Sequence, residues 1–169
     1  MTCDQKIMPT SLSFTEDQLV SELWAQDVRF ILGSPPNHPP TIPPARLIAA
    51  LAECREARLQ LSLIPLFLRH PEFAVHASAA AKKINPAAQL ILKCFYSAAV
   101  WLEQKHLSRK ELLDLFSKEL DLNPTTDPDE NLRALAKRHK ELSGSRINWI
   151  GTYQHAANIW LKELELQQA

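Results

Sequence analysis

The chain has 169 residues, of which 46% are hydrophobic and 22% are charged, a composition typical of one globular domain. A domain of this length can bury a core without disulfides or a structural metal. Nineteen basic and nineteen acidic side chains give a net charge of zero, which argues against a strongly basic nucleic-acid binder.

The cysteines, the glycines and the hydropathy pattern exclude several further classes. Cys3, Cys54 and Cys94 form no CxxC pair, so we expect neither a disulfide framework nor a zinc site. The first residues lack the pattern of a secretory signal, and no apolar run is long enough to cross a membrane. The chain has only 3 glycines, which argues against a phosphate-binding loop. We therefore expect a cytoplasmic protein with no metal, no cofactor and no membrane segment.

Leu and Ala dominate the sequence and Val is rare, which favours an all-α fold. Thr15 followed by Gln18 is a capping-box pattern that predicts the start of the first helix, and Gly33 is expected to end it. Residues 1–14 are expected to be flexible.

Residues 33–44 contain six prolines, and we call this segment the strap. Each proline lacks an N–H donor and disfavours helix in the residue before it, so the strap is predicted to be extended and polyproline-like. Pro44 suits the first turn of a long helix that begins near Ala45. Pro65 predicts a kink or a break in that helix.

The remaining helices are predicted from the signals at their ends. Asn85-Pro86 opens a strongly apolar helix to about His106, which we interpret as the central helix of the core. Ser108 with Glu111 is another capping box. The other predicted helices span Pro71 to Ile84, Ser108 to about Leu120, Asp127 to Ser143-Gly144, and Arg146 to about Leu166.

Together these elements predict a compact all-α bundle of about seven helices in a single domain over residues 1–169, with the strap lying across it. The helix pairs also suggest a short HEAT-like helical stack as an alternative. No repeat period occurs in the sequence, which favours the bundle.

Charge is unevenly distributed along the chain. Residues 46–110 carry a net charge of +6, and the segment on each side carries −3. One interpretation is that the flanks pack beside the middle segment and neutralise it. The other is a basic face that binds an acidic protein partner or RNA. RNA is the weaker possibility, because no aromatic stacking motif is interleaved with the charges. The candidate partner-binding residues are Arg55, Arg58, Arg69, Lys82, Lys83 and Lys93.

Catalytic and metal-binding motifs are incomplete. His70 and Glu72 have the H-x-E spacing of zinc deaminases, but the P-C-x-x-C motif that completes that site is absent. The sequence contains no HExxH and no GxSxG, and neither Cys54 nor Cys94 has a general base beside it. Trp149, Tyr153 and Trp160 recur along the last helix, where core packing is favoured over a partner surface.

The segment Arg133-Ala-Leu-Ala-Lys-Arg-His139 resembles the Arg-x(4–6)-His signature of HEPN-type proteins, which are small all-α bundles that include ribonucleases. The resemblance implies that Arg133 and His139 are catalytic and cleave RNA without a metal at a dimer interface. It also implies a role in a toxin–antitoxin pair, or as the partner of a nucleotidyltransferase. Imidazole can relay a proton from a 2′-hydroxyl, and guanidinium can stabilise the charged transition state.

We therefore expect a non-enzymatic interaction or adaptor module of a cytosolic, bacterial system, with a protein partner or a second copy of the chain bound to it. The HEPN-like ribonuclease is the alternative. The two hypotheses differ in one observable, because the ribonuclease requires Arg133 and His139 to share a solvent-facing cleft.

Overall fold

The computed structural model describes residues 13–36 and 38–168. The segment 1–14, predicted to be flexible, therefore lies outside the described residues except for Ser13 and Phe14, and Cys3 lies outside them as well. Phe14 packs against the core, with the guanidinium of Arg46 5.3 Å from the centre of its ring.

The described residues form helices joined by irregular segments, and no strand occurs among them. The helices are α1 (Glu16–Ala25), α2 (Pro44–Glu53), α3 (Ala57–Leu61), α4 (Leu63–Arg69), α5 (Ala77–Ala81), α6 (Pro86–Leu107), α7 (Pro128–Ser143) and α8 (Trp149–Gln168), with a 3₁₀ helix at Pro71–His76 before α5. Within the described part of the chain, no helix is long and apolar enough to span a bilayer.

The fold is an all-α bundle built around α6. This helix contacts α2, α4, α5, α7 and α8, and residues 94–103 are all buried, so it is surrounded on every side. A helical stack would place each unit against its neighbours in sequence only. The predicted bundle and its central helix are therefore confirmed.

Several predicted helix ends are confirmed in their hydrogen bonds. Thr15 and Gln18 form a reciprocal capping box at the start of α1. The side chains of Asn85 and Asp127 accept backbone hydrogen bonds at the starts of α6 and α7. Gly144 ends α7 with φ +68°, a left-handed conformation that glycine adopts without steric cost.

The first helix is shorter than the sequence predicted. It ends at Ala25, because Asp27 adopts φ 64° and the chain turns away there. The N–H of Val28 donates to the carbonyl of Leu23, and that of Asp27 to Trp24, which is the Schellman pattern of helix ends. Val28 and Leu23 are both buried, as the hydrophobic contact of this motif requires. Asp27 thus has the role that the sequence assigned to Gly33.

Gly33 has a different role, because its missing side chain lets the backbone lie close to Trp24. A Cβ atom at residue 33 would lie 2.5 Å from Nε1 of Trp24, and that N–H donates to the carbonyl of Ile31. The start of the strap therefore lies against the indole ring of α1.

The predicted long helix from Ala45 is divided into α2, α3 and α4. The break expected at Pro65 occurs at Ser62, because Pro65 lies in the first turn of α4, where its missing N–H is tolerated. A second break at residues 54–56 was not predicted. The predicted helix from Pro71 to Ile84 consists of the 3₁₀ turn and α5.

The predicted helix from Ser108 to Leu120 does not form. Ser108 adopts φ 51° and terminates α6 instead of starting a new helix. The following residues, which we call the 108–127 loop, are irregular. Leu112, Phe116 and Leu120 are buried at a spacing of four residues, so the sequence resembles an amphipathic helix although the backbone is not helical.

Candidate functional site

Three of the six predicted partner-binding residues form ion pairs within the chain. Arg69 binds Asp27 with Nη2 to Oδ2 at 2.7 Å, and Lys93 binds Glu119 with Nζ to Oε1 at 2.8 Å. Arg58 lies 3.5 Å from Glu56 and remains largely exposed. Each of these three cations therefore has a carboxylate beside it that offsets part of its positive charge.

The unequal charge of the three chain segments is partly compensated by tertiary contacts. Asp27 belongs to the acidic N-terminal segment, and Glu119 belongs to the acidic C-terminal segment. A third pair of this kind joins Lys105 to Asp129 at 2.8 Å. The interpretation that the flanks neutralise the middle segment therefore has direct support in these three contacts.

Arg55, Lys82 and Lys83 remain exposed, and the described residues offer them no ion pair within 4.0 Å. Arg55 lies two residues beyond the end of α2, and Lys82 and Lys83 directly follow α5. Cations are stabilised near helix C-termini by the partial negative charge of the unpaired carbonyls. They are the unpaired members of the six candidate cations, and we call these three side chains the unpaired basic residues.

Lys82 also lines an open groove of about 360 Å³ beside α6. Lys93, Glu119, Gln89 and Phe116 contribute to the same groove. Since Lys93 and Glu119 are bound to each other, Lys82 supplies the remaining positive charge of this groove.

Arg133 and His139 do not share a solvent-facing cleft. Arg133 is exposed on α7, where its charge adds to that of Lys105 in lowering the pKa of Asp129. His139 is only 1% exposed and lies on the core side of α7. An RNA phosphodiester at the surface near Arg133 would not reach the His139 imidazole in this arrangement.

His139 belongs to a buried aromatic cluster on α6, α7 and α8. Its ring stacks on Trp149 with centroids 3.6 Å apart, and Phe95 packs edge-on against it. Its Nδ1 lies 2.7 Å from the hydroxyl of Tyr153. Burial lowers the pKa of His139 to about 4, so the ring is neutral at pH 7. The preferred role of Trp149, Tyr153 and Trp160 in core packing is confirmed, since Tyr153 and Trp160 are buried and Trp149 packs on the core.

His70 and Cys94, the other residues considered for catalysis or metal binding, also have structural roles. His70 bridges two parts of the chain, with Nδ1 3.0 Å from Oε2 of Glu72 and Nε2 2.6 Å from the carbonyl of Gln26. Burial raises the pKa of the Cys94 thiol to about 12, which leaves it protonated and unreactive. No cluster of three metal-ligating side chains occurs in the ranges 13–36 and 38–168.

The strap is held against α1 by a buried carboxylate that the sequence did not reveal. Glu22 is 1% exposed, and its oxygens accept hydrogen bonds from the backbone N–H groups of Thr41 and Ile42 at 2.8 and 2.9 Å. The Thr41 hydroxyl donates to the same carboxylate. Glu22 falls on the apolar side of α1 between Leu19 and Leu23, and this position is the only sequence signal of its role.

A second buried carboxylate holds the 108–127 loop. Glu103, on α6, accepts hydrogen bonds from the backbone N–H of Leu112 and from Nε of Arg109, each at 2.8 Å. Arg109 also donates to the carbonyl of Leu68. The loop is bound further by Tyr96, whose hydroxyl donates to the carbonyl of Leu113 at 2.6 Å.

Comparison with known proteins identified no matching family model, no matching curated protein and no matching solved structure.

Proposed function

We propose that this chain is a non-enzymatic interaction module that binds an acidic protein partner through Arg55, Lys82 and Lys83. The observation that carries the proposal is the contrast between these three cations and the other three candidate cations of the basic middle segment. Arg58, Arg69 and Lys93 have carboxylate partners within the chain, whereas the unpaired basic residues are exposed without one.

An exposed cation keeps its full charge available for a partner, and it contributes long-range attraction that increases the association rate. Such attraction is screened at high ionic strength, because the Debye length falls from about 10 Å at 0.1 M salt to about 3 Å at 1 M. Binding through the unpaired basic residues should therefore weaken steeply as salt is added.

The ribonuclease alternative receives less support from the geometry. Its imidazole would have to reach a phosphodiester, yet His139 is stacked on Trp149 and hydrogen-bonded to Tyr153 inside the bundle. A buried residue that completes core packing is explained without any catalytic role. The geometry therefore supports an interaction module better than a ribonuclease.

The test is affinity capture from an extract of the native cell with the tagged full chain. The variant Arg55→Glu, Lys82→Glu, Lys83→Glu reverses the unpaired basic residues. The variant Lys137→Glu, Lys140→Glu, Lys162→Glu makes the same charge change at exposed positions of α7 and α8. We expect a partner that the wild type and the second variant retain at low salt and that the first variant loses. A partner captured equally by both variants, or no reproducible partner, would overturn the proposal.

A further inference from the structure

The open groove beside α6, which we call the Lys82 groove, contains an ion pair as well as an unpaired cation. Lys82, Lys93 and Glu119 line it, and Nζ of Lys93 lies 2.8 Å from Oε1 of Glu119. We propose that this groove binds an acidic side chain of a peptide segment, whose carboxylate displaces Glu119 from Lys93. This inference rests on the proposed function, since it names the site and the chemistry by which the interaction module binds its partner.

Lys93 is a cation that requires an anion beside it. It lies on the central helix α6, and only 19% of its side chain is exposed. Withdrawal from water disfavours a charged group unless an opposite charge or hydrogen bonds replace the lost hydration. Glu119 supplies that charge in the free chain, so an anion that replaces Glu119 must make the same contact with Lys93.

Glu119 is held less firmly than the buried carboxylate of the same region. Its side chain is 54% exposed, and among the described residues Lys93 is the one cation within 4.0 Å of it. Glu103, by contrast, is fully buried and binds both Arg109 and the N–H of Leu112. When Glu119 turns away from Lys93, water can solvate its carboxylate. Exchange of Glu119 for another carboxylate conserves the ion pair of Lys93, so the exchange costs little.

A bound acidic peptide also gains contact with Lys82. This lysine is exposed on the same groove, and no carboxylate of the described residues pairs with it. The charged lining residues are two lysines and one glutamate, so the groove has a net charge of +1 that complements an anion. A carboxylate accepts hydrogen bonds at both oxygens, so one carboxylate or two neighbouring ones can bind both ammonium groups.

The lining of the Lys82 groove favours a peptide over a nucleic acid. Nucleic-acid binding draws its affinity from many phosphate contacts, each made by a basic side chain, and the groove supplies two lysines. Phe116 is the aromatic residue of the lining, but it is only 2% exposed, so a nucleobase cannot stack on its ring. A groove of about 360 Å³ has room for an acidic side chain.

The experiment measures binding of a fluorescently labelled hexaglutamate peptide to the purified full chain by fluorescence anisotropy at low salt. The test variant is Glu119→Gln, which removes the competing carboxylate. The matched control is Glu111→Gln, which makes the same charge change at an exposed position of the 108–127 loop. We expect Glu119→Gln to bind the peptide about 3- to 5-fold more tightly than the wild type, and the control to bind it within about 1.5-fold of the wild type.

The variant Lys93→Gln tests the same contact from the other side. It should bind the peptide more weakly than the wild type, and the addition of Glu119→Gln should then give no more gain than Glu111→Gln gives, because the two carboxylates compete at Lys93. Circular dichroism checks the fold of each variant. If Lys93→Gln is unfolded, the comparison of Glu119→Gln with Glu111→Gln decides alone.

The inference is overturned if hexaglutamate does not bind at concentrations up to about 1 mM, or if Glu119→Gln and Glu111→Gln change the affinity equally. It is also overturned if a polyuridine oligonucleotide gains more affinity from Glu119→Gln than the peptide does, since nucleic acid would then be the occupant. None of these results decides the capture test of the unpaired basic residues, because Arg55, Lys82 and Lys83 are intact in all of these variants. Failure of the groove inference and failure of the proposed function are thus distinguishable.

Discussion

The strap and the 108–127 loop are two irregular segments that are bound to helices by the same chemical device. In each, a buried glutamate on a helix accepts hydrogen bonds from backbone N–H groups of the segment: Glu22 from Thr41 and Ile42, and Glu103 from Leu112. The difference lies in the charge balance. Glu103 has a cationic partner in Arg109, whereas Glu22 binds only uncharged donors.

This difference shows how a helical bundle can hold irregular backbone without regular secondary structure. A buried backbone N–H requires an acceptor. One carboxylate can accept hydrogen bonds from the N–H groups of two residues at once. Where the carboxylate is also ion-paired, its removal takes an acceptor away from both a cation and an amide. The two attachments should therefore differ in their contribution to the free energy of unfolding.

The largest effect is expected for Glu103→Ala. This change leaves the buried N–H of Leu112 without its acceptor and the partly exposed Arg109 without its main partner. Each hydrogen bond to a charged group contributes about 1.5–3 kcal/mol, so we expect a loss of about 3 kcal/mol or more. Urea unfolding followed by circular dichroism measures the change. Glu111→Ala is the control, because Glu111 also lies near Arg109 but is exposed, and exposed pairs contribute about 1 kcal/mol or less. Equal losses for the two variants would contradict the role of Glu103.

Acidification tests whether His139, on the helix α7 that follows the 108–127 loop, makes the stability of the fold depend on pH. The pKa of His139 is lowered to about 4 by burial, from an ordinary value of about 6.5, so the unfolded chain binds a proton more readily than the folded one. Stability is therefore fully present above about pH 6.5 and falls as the pH decreases toward about 4, by about 3 kcal/mol in all.

Urea titrations at several pH values between about 4 and about 6.5 measure the free energy of unfolding. The variant His139→Gln keeps a polar group near Tyr153 but does not titrate, so its pH profile should be flatter than that of the wild type in this window. Parallel profiles for the two proteins would assign the acid sensitivity to other groups.

A smaller effect is expected for Glu22→Ala. The change removes the acceptor of two backbone N–H groups but leaves no cation behind, and Thr41 is exposed enough for water to replace its partner. The loss should be about 1–3 kcal/mol, mostly from the buried N–H of Ile42. Hydrogen exchange at Ile42 should accelerate more than exchange at Leu112. Glu53→Ala, at an exposed position of α2, should change neither rate.

The smallest effect tests whether Ser108 ends α6, as in the structure, or caps the start of a following helix, as the sequence predicted. In the structure, Ser108 ends α6 with φ 51°, so Ser108→Gly should relieve backbone strain and stabilise the fold by about 0.5–1 kcal/mol. If Ser108 were instead the N-cap of a following helix, Ser108→Ala would cost about 1 kcal/mol and Ser108→Gly would not stabilise. Thermal unfolding of both variants measures the sign.

The prediction from sequence succeeded where local chemistry was sufficient. Helix starts at Thr15, Asn85 and Asp127 depend on side chains within three residues, and the strap depends on prolines that disfavour helix in the residues before them. It failed at residues 108–120, where the spacing of Leu112, Phe116 and Leu120 is compatible with a helix. There the hydrogen bonds of Glu103 and Tyr96 to the loop backbone replace those that a helix would form.

The candidate site was predictable only as a set of residues. The sequence places six cations in or near a basic segment, but it does not show which of them meet a carboxylate. Asp27 is 42 residues from Arg69, and Glu119 is 26 residues from Lys93 (119 minus 93), so only the tertiary fold brings the charges together. The same holds for His139, whose burial against Trp149 and Tyr153 depends on how α7 packs against α8.

The sequence by itself determined the all-α class, the central apolar helix and the extended strap, because these follow from side-chain periodicity and from the missing N–H of proline. The tertiary structure alone decided which cations remain unpaired, why the 108–127 loop is not a helix, and how Glu22 fastens the strap. These features depend on contacts between residues far apart in the chain, and their energies are comparable to the local helix preferences that they override.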